Sequence, residues 1–524
     1  MNSKYIIASA AAALMLASCS SDYLETTPND AISTATAFST TDNCALAVNG
    51  LAKMMTTQYL SVQGMNGEGT IKNWCNSFTG NDTQKCNQTG WASLWNNLAT
   101  YKTNKATSYN YYIWFYYYKL IGNANQIIDN VDNASGSDAD KQFIKAQALV
   151  YRAYSYYNLV TMYCKRWCDS NNGASDGVVL RLKATDSGEN QDQALSTLAE
   201  TYAQIYSDLD DAISLFKQSG KTNTDFYLPG INAAYAVKAR AALYREDWAE
   251  AAECASQARA GYSLMGEANY KAGFNEENNE WIWGVYEAED QTLYYYSYYA
   301  YIGSNSSASA CRSYPVAISK ELIDQIPTAD VRRDLFLVPQ SDTEFAEMNA
   351  AGRTTKGTMY NRGHNSGYVY STSYIFGYMQ FKLRAAFMPG GGSFNLFRAA
   401  EMYYIEAEAD CHTGKQTQAQ ALLIEAVKPY NSSYTCTKTG DDLLEEIKLY
   451  RRFDLFGEGY DWQDCKRWKK DINRKKLDVS KGLASPGSFH STFAITISAD
   501  DDSRWIWAIP NKECDYNSLL KEND

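Results

Sequence analysis

Residues 232–262 read NAAYAVKARAALYREDWAEAAECASQARAGY. Apolar residues recur there at steps of three and four before a polar turn at Arg245-Glu246-Asp247, and alanines recur at four-residue steps after Trp248. This spacing places the apolar side chains on one face of a helix. The stretch therefore predicts two helices that are joined by a short turn and packed together through small residues.

Two further helix pairs are predicted from the same kind of spacing. The apolar face of one helix consists of Phe143, Ala146, Val150, Ala153, Tyr157 and Val160, and its partner runs from about Thr197 to Phe216. Another pair begins at Phe397, turns at Gly414 and continues through Ala419 and Ala426. Such pairs resemble the tetratricopeptide unit. We expect repeat-like helices at about 140–262 and 397–427.

Residues 270–395 separate these repeats along the chain. They are rich in Gly, Ser, Asn, Tyr and Trp and lack a long helical period, which is typical of loops and short strands. A simple solenoid would stack its units consecutively. The sequence therefore predicts a mainly α fold: a single large domain with tetratricopeptide-like helix pairs as scaffold and a loop-rich ligand-binding face with short strands, where function is expected.

The N-terminus reads as a signal for export. Lys4 precedes an apolar run, residues 6–17, that is shorter than the roughly 20 residues needed to span a bilayer. The run ends Leu16-Ala17-Ser18-Cys19, which resembles a bacterial lipobox. We expect residues 1–18 to be a lipoprotein signal peptide, Cys19 to carry the lipid anchor, and residues 19–524 to form the mature domain. A plain secretory signal with an incidental cysteine is the alternative.

Composition excludes several functional classes. The net charge of -12 argues against nucleic-acid binding, which needs clustered Lys and Arg. The three histidines, His364, His412 and His490, are isolated, so neither a metal site nor a cofactor is predicted. The 42 tyrosines and 12 tryptophans suit a carbohydrate ligand, because aromatic rings stack on sugar faces and the tyrosine hydroxyl can hydrogen-bond.

The remaining cysteines predict no disulfide framework. Eleven follow Cys19, an odd number without a CxxC pair, in a chain long enough to fold without staples. We expect mostly buried free thiols, with Cys75 and Cys86 as a candidate bridge on which nothing here depends.

Several segments resemble, in order, the SusD/RagB family of outer-membrane nutrient-binding lipoproteins of Bacteroidetes. The similar segments are the arginine-centred helix at 145–160, its partner at 202–209, Asp330-Val331-Arg332-Arg333, the helix at 398–409, Arg451-Arg452, Glu458-Gly459, Asp464, Arg467-Trp468, and Ile509-Pro510 to Asn517. Each motif is weak alone, but their order is specific and covers nearly the whole mature chain. Departures at Tyr450, Asp461, Cys465 and 165–176 concern the scaffold more than the site.

This resemblance implies what the protein does. A member of the family would be one integrated domain with four tetratricopeptide-like helix pairs, would bind a glycan on the face away from the repeats, and would pass it to a TonB-dependent outer-membrane transporter. Its location would be the outer membrane, lipid-anchored and exposed at the cell surface. A peptide or another large nutrient as ligand, and a tetratricopeptide scaffold that binds only protein, are the alternatives.

Candidate ligand-binding residues lie in two aromatic segments. In the first segment Trp91 is the leading candidate for a sugar platform, with Trp74, Trp95 and Asn96 beside it. The second segment supplies Trp283, Tyr295, Tyr296, Tyr298, Tyr299 and Tyr301, in a run with neither a helical stripe nor strict alternation. By contrast, Trp114, Tyr118, Ile121, Asn125 and Ile128 step by three and four, so we expect them to lie in a core helix.

Charged residues within apolar helical runs read as structural pairs. Buried charges persist only when they are paired, so we expect Arg398 to pair with Glu401, and Arg451 or Arg452 with Glu458. An enzyme is not predicted: H-E-x-x-H and P-loop motifs are absent from the sequence. A glycosidase needs two carboxylates across a sugar site, and Glu287 with Glu289 offers only proximity along the chain.

Overall fold

The computed structural model describes residues 34–60, 65–85, 104–184, 192–291, 297–349 and 366–520. Its longer helices are α1 (Thr41–Met54), α2 (Ser108–Asn130), α3 (Asp138–Tyr163), α4 (Leu198–Ser219), α5 (Ile231–Tyr244), α6 (Trp248–Arg259), α7 (Asp342–Asn349), α8 (Ala399–His412), α9 (Gln416–Val427), α10 (Gly440–Asp454) and α11 (Asp461–Arg467). Helices predominate throughout these ranges, and the predicted mainly α class is confirmed.

Short elements connect these helices. Short α-helices span Thr34–Ala37, Gly67–Thr70, Glu267–Tyr270, Tyr298–Ile302, Ser309–Arg312, Lys320–Ile323, Asp502–Trp505 and Asn511–Tyr516. A π-helix spans Ile71–Ser77, and 3-10 helices span Val131–Asn133, Trp167–Asp169, Glu289–Gln291, Val331–Leu335, Ser366–Tyr368 and Val479–Ala484. The strands are β1 (Thr83–Lys85), β2 (Trp281–Val285), β3 (Val316–Ile318), β4 (Phe394–Arg398), β5 (Ile472–Asn473) and β6 (Thr496–Ile497).

The termini of the predicted first pair follow from local capping. At the start of α3 the Ser137 hydroxyl accepts a hydrogen bond from the Asp140 amide at 3.1 Å, which satisfies one of the free donors of the first turn. At the start of α4, Thr197 and Glu200 form a reciprocal capping box. That helix stops at Gly220, whose φ of 63° lies in the left-handed region that glycine adopts readily.

Helices α5 and α6 form the predicted helix-turn-helix. The buried small residues on their facing sides are Ala233, Ala234, Ala241, Ala251, Ala255 and Ala258. The turn is closed by the Asp247 amide, which donates to the carbonyl of Ala242 at 2.9 Å. Because alanine keeps the two helices close, the pair matches the tetratricopeptide geometry expected from its spacing.

The helix pairs stack into one scaffold. Helix α2 packs on α3, α3 on α4, α4 on α5, and α8 on α9. Helix α6 also packs directly on α8, although residues 260–398 lie between them in the sequence. The repeats are therefore separated along the chain, as predicted, but contiguous in space.

The intervening residues leave and rejoin this scaffold at one strand pair. Strand β2 is antiparallel to β4, with Trp281 opposite Arg398 and Val285 opposite Phe394. All five residues of each strand are buried, and β4 runs directly into α8. The loop-rich insertion predicted at 270–395 is thus clamped at its base between the repeats.

The predicted pair of Arg398 and Glu401 is wrong. Arg398 is the N-cap residue of α8 in an extended conformation, so the two side chains do not share a helix face. The Arg398 guanidinium instead contacts the carboxylates of Glu280, Asp454 and Glu458 at 2.6–2.8 Å. Glu401 accepts from Arg240 at 2.6 Å. We name Arg398 with its three carboxylates the junction cluster.

The other predicted charge pair is wrong in the same way. Arg451 contacts Asp464 at 2.8 Å, and Arg452 binds Asp82 far away in the sequence. Glu458 belongs to the junction cluster, where Arg398 and Lys382 lower the pKa of its buried carboxyl to about 2. The expectation that these charges are buried and paired is confirmed, while the partners come from distant segments.

The cysteines of the described part of the chain are free thiols, and most of them are buried. Buried free thiols are Cys44, Cys164, Cys254, Cys311, Cys436 and Cys465, as expected. Cys86 lies outside the described residues, so its bridge to Cys75 stays a prediction. Among the described helices, none is long and apolar enough to cross a bilayer.

Candidate functional site

Half of the predicted ligand-binding residues lie outside the described ranges. They are Trp91, Trp95, Asn96, Tyr295 and Tyr296. Cys19, the predicted lipidation site, also lies outside them. For these residues the sequence-based predictions stand as they were.

Trp283 is a core residue, and its predicted role as a sugar platform is wrong. Its ring packs edge-on against Tyr151 and Tyr154 at 5.3 and 5.2 Å between centroids, and it stacks on Phe397 at 6.1 Å. The side chain is fully buried. Because β2 is covered on both faces by α3 and β4 residues, a ligand has no access to this ring.

Tyr298 and Tyr299 are also core residues and not ligand platforms. The Tyr298 hydroxyl donates to the carbonyl of Gly457 at 2.8 Å, and its ring packs on Phe394 at 4.7 Å. The Tyr299 hydroxyl donates to the carbonyl of Ser393 at 3.0 Å. Both side chains are buried, because the Tyr298–Ile302 helix is covered on all sides by segments distant in sequence.

Trp74 and Tyr301 meet in a second buried cluster. The Trp74 ring lies 5.1 Å from Tyr301 and 5.7 Å from Tyr109, centroid to centroid. Trp74 is only 4% exposed and Tyr301 2%, so neither presents an open ring face to a ligand. Their prediction as platforms is corrected to a packing role. We call Trp74, Tyr109 and Tyr301 the Trp74 cluster.

The Trp74 cluster brings together the ends of two aromatic loop segments. Lys85 is the last described residue before 86–103, and its ammonium donates to the carbonyls of Tyr301 and Ala310 at 2.8 and 3.0 Å. The Asn73 amide donates to the carbonyl of Tyr298 at 2.9 Å, two residues after the segment 292–296. Both segments therefore start from the same part of the surface.

A hydrogen-bonded ladder ties a third segment to this place. Strand β1 pairs with β3, and the Gln380 amide donates to the carbonyl of Val316 in β3 at 3.0 Å. On the other side, the Leu337 amide donates to the carbonyl of Met379 at 2.9 Å. Asn349, the last described residue before 350–365, abuts Gly377 beside the ladder. We call the surface around these three chain ends the loop face.

The Gln380 side chain fastens the ladder to the Tyr298–Ile302 helix. It is fully buried, donates to the carbonyl of Ile302 at 2.7 Å and accepts from the Leu383 amide at 2.8 Å. A buried amide that satisfies two backbone groups fixes their relative position. These two hydrogen bonds therefore fix the ladder and the Tyr298–Ile302 helix relative to each other at the base of the loop face.

Within the described residues no group of His, Cys, Asp and Glu could hold a metal ion. Glu287, which belonged to the weak glycosidase pair, is buried and accepts a hydrogen bond from the Gly392 amide at 3.2 Å. Burial raises the pKa of Glu287 to about 8, so the shift arises from desolvation and not from a second carboxylate.

One aromatic pair was missed by the sequence analysis. Tyr286 directly follows β2 and is 53% exposed, and its ring lies 5.6 Å from that of Tyr227, centroid to centroid. The tryptophans of β2 dominate the aromatic content of this stretch. The available signal was its position one residue beyond the end of a buried strand, where alternation turns a side chain outward.

Fold and site together define a mainly α scaffold with a loop face at which three chain segments are anchored. Comparison with known proteins places this class: residues 250–524 match the profile of the SusD family, and residues 22–243 match a SusD-like profile described as starch-binding associating with outer membrane. The chain belongs to the SusD family, and the resemblance seen in its motifs is confirmed.

Solved structures agree on the fold. A SusD-like carbohydrate binding protein from Bacteroides vulgatus superposes with a TM-score of 0.74 at 22% identity, covering 92% of this chain and 98% of that one. A SusD superfamily protein from Bacteroides thetaiotaomicron gives 0.71 at 21% identity, covering 93% and 100%. One from Bacteroides fragilis gives 0.69 at 18% identity, covering 92% and 99%. A comparison with curated protein sequences finds no match.

Proposed function

We propose that this protein is a cell-surface lipoprotein that binds a polysaccharide or oligosaccharide by aromatic stacking on the loop face. It then delivers the glycan to a TonB-dependent outer-membrane transporter and does no chemistry on it. Membership of a family whose N-terminal profile is described as starch-binding supports this proposal. The observation that carries it is the meeting, beside the Trp74 cluster, of the described ends of the segments 86–103 and 292–296.

The covalent chain limits how far each predicted aromatic residue can lie from its nearest described neighbour. Trp91 is six residues from Lys85, and an extended chain advances at most about 3.5 Å per residue, so Trp91 stays within about 21 Å of Lys85. Tyr295 and Tyr296 are bound still more tightly to Ser297. Since Lys85 contacts Tyr301, the described ends of the two segments that carry Trp91, Trp95, Tyr295 and Tyr296 lie side by side.

The character of the ligand follows from what this region offers. Flat aromatic faces stack on the apolar faces of sugar rings, and hydroxyl and amide groups such as that of Asn96 orient the sugar. Arg398, the cation of the junction cluster, is paired with three buried carboxylates, and the chain is acidic overall. A neutral polyhydroxylated ligand fits this surface better than a polyanion.

The anchoring proposed here rests on the sequence around Cys19. A lipid on Cys19 would hold the protein at the outer membrane, and binding without hydrolysis would leave the glycan intact for transport. The transporter contact follows from the family and is not assigned to particular residues.

The test is affinity electrophoresis of the soluble mature chain carrying Cys19→Ser. The gels contain amylopectin, xyloglucan, β-mannan, levan or pectin, and Trp91→Ala and Trp248→Ala run beside the parent. Trp248 is a partly buried tryptophan that stacks on His412 in the repeats, so it controls for loss of a tryptophan as such. We expect one polysaccharide to retard the parent and Trp248→Ala but not Trp91→Ala.

The contrary result is equally clear. If every polysaccharide leaves the parent unretarded, glycan capture is wrong and the peptide alternative replaces it. Release of reducing sugar during long incubation would contradict the absence of catalysis.

A further inference from the structure

An aromatic cleft lies outside the three loop segments. It encloses about 200 Å³ between the C-terminal half of α1 and the chain that leaves β2. The residues that matter along its walls are Asn49, Ala52, Lys53, Tyr227, Gly284 and Tyr286. This volume accommodates one sugar ring more readily than a longer glycan.

The aromatic wall of this cleft is held in place by β2. The Gly284 amide donates to the carbonyl of Phe226 at 2.8 Å, and the Trp283 indole donates to the carbonyl of Tyr227 at 3.3 Å. A side chain at Gly284 would lie 3.0 Å from the Phe226 ring, so glycine permits this close approach. The platform is therefore organised before a ligand arrives, which lowers the entropic cost of binding.

The two tyrosine rings pack against each other in a tilted arrangement. Their planes are inclined by 41°, and the ring of Phe226 contacts both at 5.7 and 6.4 Å between centroids. Tyr286 is half exposed, and Tyr227 is partly exposed. Among the described residues neither hydroxyl has a hydrogen-bond partner in the protein, so both can bond to a ligand.

The opposite wall supplies polar groups of matching type. Asn49 is exposed on α1, and its amide can both donate and accept, as the hydroxyls of a sugar require. Ala52 also lines this wall. Ring faces on one side and an amide on the other are the combination that orients a pyranose.

We propose that Tyr227 and Tyr286, with Asn49 opposite, form a second carbohydrate subsite that holds one pyranose ring of a long glycan. The inference rests on the proposed glycan binding and adds a second binding position for the same glycan. Two subsites on one chain turn binding of a long polymer into a bivalent event, which strengthens affinity for polysaccharide without changing affinity for a short fragment.

The test uses the panel polysaccharide that retards the parent protein and the disaccharide made of the same sugar. Isothermal titration measures both ligands with the parent, Tyr286→Ala, Tyr286→Phe and Tyr516→Ala. Tyr516 is another exposed tyrosine, 69% accessible on the Asn511–Tyr516 helix, and serves as the matched control. Melting temperatures show whether each variant is folded.

We expect Tyr286→Ala to weaken polysaccharide binding roughly tenfold and to leave disaccharide binding unchanged. Tyr286→Phe keeps the ring and should stay within about threefold of the parent, and Tyr516→Ala should match the parent. The inference is overturned if Tyr286→Ala binds polysaccharide within twofold of the parent while Trp91→Ala abolishes binding. If the parent itself binds no polysaccharide, the proposed function fails first and the second subsite falls with it.

Discussion

Helices α5 and α6 and the Tyr298–Ile302 helix show two ways of fixing a backbone. The first two are joined by a short turn and pack through alanines only a few residues apart. The last is five residues long and is held by Asn73, Ser393 and Gly457, all distant in sequence. The structure of the repeats is therefore determined by local, periodic sequence, while the structure at the loop face is fixed by contacts with residues distant in sequence.

The two kinds of structure tolerate sequence change differently. Residues in the loop face can change without disturbing any helical period, provided that their anchors remain. The junction cluster is the place where the two regions meet, because Arg398 ends β4 and precedes α8, while Glu280 precedes β2. Its buried charges tie the base of the insertion to α10.

The largest loss of stability is expected from removing Arg398, which joins the repeats to the insertion. The substitution Arg398→Met leaves three buried carboxylates without their common partner, and we expect it to lower the free energy of unfolding by about 3–5 kcal/mol. Chemical denaturation followed by circular dichroism measures the change. Arg504→Met, which disrupts an exposed ion pair with Asp501, should cost less than about 1 kcal/mol. Equal effects would refute a structural role for the cluster.

The free energy of unfolding should depend on pH through the buried carboxyl of Glu287 at the base of the insertion, and not through an exposed carboxyl of the insertion. The folded-state pKa of Glu287 is raised to about 8 from the usual 4.5, so below pH 4.5 its carboxyl is protonated in both states. As the pH rises towards 8, only the unfolded chain ionises, and stability falls.

Glu287→Gln removes this proton linkage. We expect the variant to gain stability relative to the parent by about 4 kcal/mol between pH 4.5 and 8, measured by urea denaturation at a series of pH values. Glu276→Gln, an exposed neighbour in the insertion, is the control. A constant difference across that range would show that Glu287 is not held protonated.

The anchors of the loop face can be tested through Gln380. Gln380→Leu leaves the carbonyl of Ile302 and the amide of Leu383 without their buried partner, and we expect a loss of about 1–3 kcal/mol. Hydrogen exchange should quicken in 298–302 more than in α5 and α6. Uniform acceleration across the chain would mean that the loop face has no stability of its own.

The smallest effect is expected from a helix cap in the repeats. Thr197→Ala removes the capping box of α4 and should cost about 1 kcal/mol, seen as a lower melting temperature. Thr224→Ala, at an exposed position between helices, should leave it unchanged. If the substitution has no effect on the melting temperature, the N-terminus of α4 is fixed by packing and not by the capping box.

The same division decides what could be predicted from sequence. The helices at 138–163, 198–219, 231–259 and 399–427 were predictable because apolar residues repeat with the period of a helix. The stacking of α6 on α8 was not, because no local pattern links residues separated by the insertion. The partners of Arg398 and Arg451 were missed for the same reason, although their burial in pairs was expected.

The aromatic residues show where such prediction stops. Trp283, Tyr298 and Tyr299 have the composition of a sugar platform, yet distant residues such as Phe397, Phe394 and Gly457 enclose them. Nothing within the run 294–301 separates a ring that packs inward from one that faces solvent. Tyr286 was overlooked because its only signal is its position after a buried strand.

The most direct test of the central claim is hydrogen exchange of the parent protein with and without the polysaccharide that retards it, at saturating concentration. The account predicts slower exchange in peptides covering 86–103 and 292–296, with α5, α6, α8 and α9 unchanged. Protection confined to the repeat helices would contradict it and would place the ligand on the scaffold instead of the loop face.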